Sequence, residues 1–374
     1  MGAVHGDRRY DVIVAGLGIM GASALSHLAR AGAKVIGIDQ FSPPHEHGSS
    51  HGQTRLLRVA YAEAPAYVPM AQRAVSLWRA LEERRDEALF TQSGVLYGGP
   101  PDVEWLLGLQ RSAQLHGLAI EDGDGSRFHL PSDWRVVLEP GAGFLKAEES
   151  VSAFLADAKA HGAKVATGAR IAAIEDAGAA IQVRTDSGDF TAPRVVMALG
   201  AWSPRMLPFL SRLLRLEQRV LHWYEAGAGF DLASGFVPFV LSPRSDQVLY
   251  GNPRIAGEVK LAQHYCGSPL ASPAELGRAI APHELSHVEA LVRTYIPALG
   301  ARRRVKPCMY MLTPDENFIL DEHPAIPGLF FLAGLSGHGF KFAPVLGEAL
   351  ANLALGLAQQ IDVKFFALDR RALA

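Results

Sequence analysis

Two sets of residues in this 374-residue chain have types and spacings that could do chemistry. Gly16, Gly18 and Gly21, in GLGIMG, close a short apolar run, and Asp39 stands 18 residues after the last glycine. Each glycine has a mechanical use in holding a pyrophosphate. Gly16 permits the tight turn, Gly18 lets the backbone approach the phosphates, and Gly21 lets the following helix pack close to the strand. The phosphates would sit at a positive helix end, with Asp39 accepting a hydrogen bond from a ribose hydroxyl. The second set is cationic: His51, Arg55 and Arg58 lie within eight residues. Their spacings of four and three would place them on one side of a helical turn. Such a cluster directly after a nucleotide motif reads as an anion site or as stabilisation of a negative cofactor; solvated surface cations are the alternative.

The elements that must position these residues follow from periodicity. Val12 to Ala15 is an apolar run of strand length, Ala22 to Ala31 has helical character, and Val35 to Ile38 is a second apolar run, so residues 10–40 read as β-α-β. Pro43-Pro44 and Gly48-Ser49-Ser50 mark a loop. Residues 66–84 read as an amphipathic helix, 89–99 as a strand pair of a second domain, and 103–116 as a shorter helix. IQVRTDSGDFTAP reads as a hairpin, and Arg194 to Trp202 as a buried strand returning to the first domain. Alternating patterns dominate residues 215–250, Lys260 lies in a further strand, and a helical region extends to Leu299. Near the C-terminus, the strand Leu329 to Leu332 leads through a glycine-rich turn to a helix from about Pro344, with Lys341 beside its start. A positive helix end plus a lysine would stabilise negative charge on a flavin ring or a substrate carboxylate.

This pattern predicts an α/β protein in which a Rossmann-like nucleotide domain (1–90, 147–218 and 307–374) is interleaved with an antiparallel-sheet substrate domain (91–146 and 219–306). A formal charge of −2 gives no reason to expect nucleic acid or a membrane surface as partner. No apolar run reaches the ~18 residues needed to span a bilayer. The start MGAVHGDRRYD lacks the apolar stretch of a signal peptide. Only Cys266 and Cys308 occur, without a CxxC pair, so a reducing, cytoplasmic setting is expected, and no metal. By composition alone each cysteine reads as an inert buried thiol.

GLGIMG, PPHEHGSSHGQTRLLRVAYAE, YVPMAQRAVSLW, TQSGVLYGGP, VKPCMYMLTPDENFILDEHP and GLSGHGFKFAPVLGE together resemble the monomeric sarcosine oxidase and N-methyltryptophan oxidase family of D-amino-acid-oxidase-like flavoproteins. The resemblance runs along essentially the whole chain. It implies an FAD enzyme that oxidises a secondary amine carrying a carboxylate, an N-methyl amino acid or a cyclic imino acid. The products would be an imine and, with dioxygen as acceptor, hydrogen peroxide; the enzyme would act as a monomer. Cys308 matches the cysteine that tethers FAD, Lys260 the lysine that serves oxygen, and Arg58 and Lys341 the pair that holds the substrate carboxylate. His264, Tyr250 and Tyr310 match groups lining the substrate side. Arg55 and His51 match residues on the other flavin face, and Thr54, Gly337, Gly339 and Phe340 match cofactor contacts.

The chain also departs from that pattern. Ser50 and Gln53 stand where relatives commonly show histidine and aspartate, and Val59 and Ala62 where they show histidine and glycine. Residues 251–259 share little with them, and Arg254 is expected near the substrate cavity. The resemblance thus carries the reaction class and leaves the substrate side chain open. Other readings are a same-fold dehydrogenase using another acceptor, an imino-acid oxidase of secondary metabolism, a non-catalytic flavin-binding protein, and a tRNA-modifying relative. Lys260, His264, Arg58 and Lys341 together disfavour the flavin-binding module, and the absence of a basic stripe disfavours the RNA enzyme.

Overall fold

A computed structural model describes residues 9–370 and Leu373. Strand Val12–Ala15, helix Ile19–Arg30 and strand Val35–Ile38 form the opening β-α-β unit, and both strands are buried on both faces, as parallel strands covered by helices must be. The sheet runs Ile319–Glu322, Leu329–Ala333, Arg194–Met197, Val12–Ala15, Val35–Ile38, Lys164–Ala166. All neighbours are parallel except the first pair. The chain therefore returns three times to complete a sheet begun near its start. Helices Ile19–Arg30, Ala147–Ala160 and Ala343–Leu355 share one apolar core beside it. A three-stranded antiparallel sheet, Ile171–Asp176, Ile181–Thr185 and Gly188–Ala192, belongs to a second core.

The expected hairpin over 181–193 is present, as antiparallel strands joined at Asp186-Ser187. The residues around 215–265 form the middle of a nine-stranded sheet: Arg215–Glu225, Glu258–Gln263, Gln247–Gly251 and Phe239–Arg244 are consecutive neighbours. Val95–Gly99 joins Phe239–Arg244 in parallel, and Arg302–Leu312 pairs with Arg215–Glu225 on the other side.

Two local expectations fail for the same reason: a nearby left-handed residue redirects the chain toward a distant partner. Phe90–Gln92 and Val95–Gly99 do not pair with each other. Gly94 adopts φ 77°, which sends Phe90–Gln92 to strand Gly143–Lys146 and Val95–Gly99 to the larger sheet. His51, Arg55 and Arg58 do not share a helical turn, because Gly52 (φ 93°) and Gln53 (φ 74°) cannot be helical. Thr54–Leu57 is instead a strand paired with Gly143–Lys146.

Gly21 acts through packing alone: a Cβ there would overlap the Gly16 carbonyl oxygen. We expect Gly21→Ala to lower unfolding stability by about 1–3 kcal/mol, the usual cost of overpacking. Gly141→Ala, where a Cβ meets open space, should leave stability nearly unchanged. Denaturant titration of the two variants checks this.

Candidate active site

Side chains alternate along a strand, so register decides which of them meet. Across the large sheet, Trp223 faces Lys260, Leu221 faces Ala262, and Ala262 faces Tyr250. On the other side, Arg219 faces Cys308 and Glu217 faces Tyr310. One sheet face therefore gathers Lys260, His264, Tyr250, Cys308 and Tyr310, with Leu221, Trp223, Ala262 and Cys308 packed as one cluster. Opposite it stand the loop Gly48–Ser50, the strand Thr54–Leu57 and the turn Gly334–Lys341. Between these walls lies a continuous cleft that is partly open to solvent. Gly16, Gly18, Asp39 and Trp202 line one end and Arg58, Tyr250, His264 and Lys341 the other.

At the first end the Asp39 carboxylate accepts the Leu17 amide at 2.7 Å and the Phe41 amide at 2.8 Å, holding the glycine turn against the strand end. The Ser50 hydroxyl accepts the Ile19 amide, satisfying one donor at the start of the helix. Gly16 at φ 88° makes the turn and leaves no room for a side chain beneath Ala198. On the facing turn, Gly337 (φ 80°) lies against the Tyr310 ring, where any Cβ would clash.

At the far end Arg58 is buried and donates to both oxygens of Glu63, at 2.6 and 3.2 Å. Burial alone would raise the Glu63 carboxyl, but the guanidinium outweighs it and holds the carboxyl at about 2. Lys341 donates to the His338 carbonyl at 2.7 Å and to the Tyr61 hydroxyl at 3.3 Å. Tyr61 is 2.5 Å from His338 Nδ1, and His338 Nε2 is 2.9 Å from the Glu316 carbonyl. Because a carbonyl only accepts, Nε2 carries the proton, Nδ1 accepts from Tyr61, and the ring is neutral. Burial agrees, lowering His338 to about 4. That chain orients Lys341, whose own pKa burial pulls well below the usual lysine value.

Lys260, Thr54 and His51 sit one layer behind the cleft wall. Lys260 Nζ donates to the Thr54 carbonyl at 2.6 Å, and its pKa is well below the usual lysine value through burial first and the Arg55 charge second. Arg55 donates to the carbonyls of Ser49, His51 and Thr54, at 2.8, 2.6 and 2.8 Å, and lies over the Phe340 ring. The Glu148 carboxylate fixes the bend before this strand by accepting the amides of Gly52 and Gln53. Burial lowers His51 and His264 to about 3 each, so both are neutral near pH 7. The hydroxyls of Tyr250 and Tyr310 approach to 3.5 Å.

Of the residues singled out from sequence, the cleft is lined by Gly16, Gly18, Asp39, Arg55, Arg58, Tyr250, His264, Cys308, Tyr310, Gly337, Gly339, Phe340 and Lys341. Arg254 is not in this wall: Asp231 binds its guanidinium at 2.8 Å instead. Sequence reading missed Glu63, Tyr61 and His338, which lie within the quoted segments but show no role until the fold closes. It also missed Trp105, which no spacing relates to the other site residues.

The sequence profile of the FAD-dependent oxidoreductase (DAO) family matches residues 11–353. The chain is 34% identical over 378 residues to monomeric sarcosine oxidase of Bacillus sp. (strain NS-129), covering 97% of each protein. It is also 34% identical to N-methyl-L-tryptophan oxidase of Yersinia pestis (strain Pestoides F), covering 96% of this chain and 99% of that one. Among solved structures, the open form of NikD, described as an unusual amino acid oxidase essential for nikkomycin biosynthesis, superposes with TM-score 0.84 at 23% identity, covering 96% of this chain and 97% of that one. L-proline dehydrogenase from P. horikoshii superposes with TM-score 0.82 at 21% identity, covering 97% of each chain. At those identities the two structures establish the shared fold. Among the described residues no helix is long and apolar enough to cross a membrane, and no group of three or more side chains is placed to hold a metal.

The buried neutral histidines set an acid limit on stability. His51, His222, His264 and His338 have folded pKa values of about 3, 4, 3 and 4, below the unfolded value of 6.5. The unfolded chain therefore binds more protons, so their contribution is complete above pH 6.5 and is lost as pH falls toward 4. Each histidine should cost about 1.4 kcal/mol per pH unit within that window. Denaturant unfolding at a series of pH values checks the slope, and His222→Leu, on the sheet face away from the cleft, should reduce it by about one proton.

Proposed function

As a member of the FAD-dependent oxidoreductase family, this chain is one for which we propose oxidation of a secondary amine bearing a carboxylate, an N-methyl amino acid or cyclic imino acid, with dioxygen as acceptor. The observation that carries this reading is the cleft itself. It begins at a glycine turn suited to a pyrophosphate and ends at two cations flanking one ring, with Arg58 at 4.8 Å and Lys341 at 5.1 Å from the Tyr61 centroid.

The residues fit FAD. Gly16 and Gly18 with the start of helix Ile19–Arg30 suit the pyrophosphate, and the Gly337–Phe340 turn faces the sheet where a ring would lie. Bound FAD would supply the two-electron acceptor for oxidation at the amine's C–H bond, with dioxygen reduced to hydrogen peroxide as the final acceptor in this reading. The protein's part is binding and charge. Arg58 and Lys341 hold the carboxylate, and Arg58 is oriented for this because Glu63 occupies only part of its donor fork. His264 is neutral and in the wall, so it does not repel an aminium. Lys260 brings a cation to within one layer of the cleft, where it stabilises charge passed to oxygen.

Cys308 is unpaired, buried and in the wall between the two ends, and we assign it the covalent attachment of the flavin. We read the protein as a monomer of a reducing compartment, in keeping with its two free cysteines.

Purified protein should produce peroxide with at least one member of a panel of sarcosine, N-methyl aromatic amino acids, pipecolate and proline. Flavin bleaching under anaerobic conditions without peroxide in air would move the assignment to a dehydrogenase. Acid-denatured wild type should retain its yellow colour and Cys308→Ala should lose it; complete release of flavin from wild type excludes the tether. Lys260→Met should slow reoxidation by dioxygen at least about tenfold more than it slows flavin reduction, and equal slowing would remove the role given to Lys260.

A further inference from the structure

Beside the proposed carboxylate anchor the structure places Trp105, which lies outside every segment that carries the resemblance to known oxidases. This residue lies in the first turn of helix Glu104–His116, is 9% exposed and lines the cleft. Its ring lies 4.7 Å from the Arg58 guanidinium carbon and 6.1 Å, edge-on, from the His264 ring. It therefore stands between the cation that would hold a carboxylate and the imidazole that would meet an amine.

The position is fixed by packing on the segment that carries Arg58 and Glu63. Gly108 is pressed so closely to Ala62 that a Cβ would overlap the Ala62 carbonyl. One turn on, Ser112 donates to the Tyr61 carbonyl at 2.5 Å, and after another the His116 ring meets the Pro65 carbonyl at 3.0 Å. Leu106 and Leu109 are buried beneath. The indole is thus part of a preset wall, and a substituent on the carbon that joins carboxylate to amine must pack against it.

We infer that Trp105 is the residue that sets substrate size, admitting a small substituent at the amine-bearing carbon and excluding a bulky aromatic one. This rests on the reading of Arg58 as carboxylate anchor. One methylene in an apolar pocket is worth about 10–200-fold in discrimination, so removing an indole changes the preference by at least about tenfold.

The test uses flavin-loaded protein and two carboxylates that cannot be oxidised, methoxyacetate and indole-3-acetate, titrated by the change in flavin absorbance. Turnover of N-methylglycine and N-methyltryptophan is measured in parallel. Wild type should bind methoxyacetate more tightly than indole-3-acetate. Trp105→Ala should shift the ratio of the two dissociation constants at least tenfold toward the indole compound, with Trp105→Phe between them. Trp105→Phe also keeps an aromatic ring on Arg58, so it answers the question if the alanine variant fails to fold. A ratio unchanged within twofold in the variants, or a wild type that prefers indole-3-acetate, overturns the inference. If neither carboxylate perturbs wild type, Arg58 is no anchor and the inference falls with it. If both bind in the stated order but no amine is turned over, the oxidase reading fails and the role of Trp105 stands.

Discussion

Desolvation of positive charge is the constraint on which this site depends. Arg58, Lys260 and Lys341 are all buried, and only Arg58 has a carboxylate directly on it. A cation removed from water costs several kcal/mol unless its donors find acceptors. The fold meets that cost with main-chain oxygens: Thr54 for Lys260, His338 for Lys341, and Ser49, His51 and Thr54 for Arg55. Backbone carbonyls satisfy donors without cancelling charge.

The supporting structure serves that placement. Glu148 holds the bend at Gly52 and Gln53, the bend sends Thr54–Leu57 across to Gly143–Lys146, and the strand presents Arg55 and the Thr54 carbonyl to the sheet face with Lys260. Trp223 donates its indole N–H to the Gln53 side chain at 3.0 Å, tying the same bend to the large sheet. Gln53 differs from the aspartate expected by resemblance, and here its neutral amide accepts that bond.

Much of the fold was legible where local periodicity and a shared partner coincide. The β-α-β unit could be read because Val12–Ala15, Gly16, Gly18, Gly21 and Val35–Ile38 are consecutive and their partners are one another. The arrangement of His51, Arg55 and Arg58 could not, since the conformation at Gly52 and the pairing with a strand some ninety residues later are absent from local spacing. The role proposed for Cys308 comes only from resemblance; composition alone assigns it an ordinary buried thiol. Trp105 was illegible both ways, because a tryptophan in an amphipathic helix reads as core until its neighbours prove to be Arg58 and His264.

The cleft needs both Gly16 and Lys341, which are 325 positions apart, and the strand Arg194–Met197 that joins their two sheet neighbours lies between. On the ribosome, the glycine turn and the Asp39 strand emerge long before the segment that closes over them. A nascent or prematurely terminated chain can fold its opening unit, yet it lacks the lysine and the sulfur supplied by the last third of the sequence. The two ends of the cleft therefore come together only after the segment bearing Lys341 has been made.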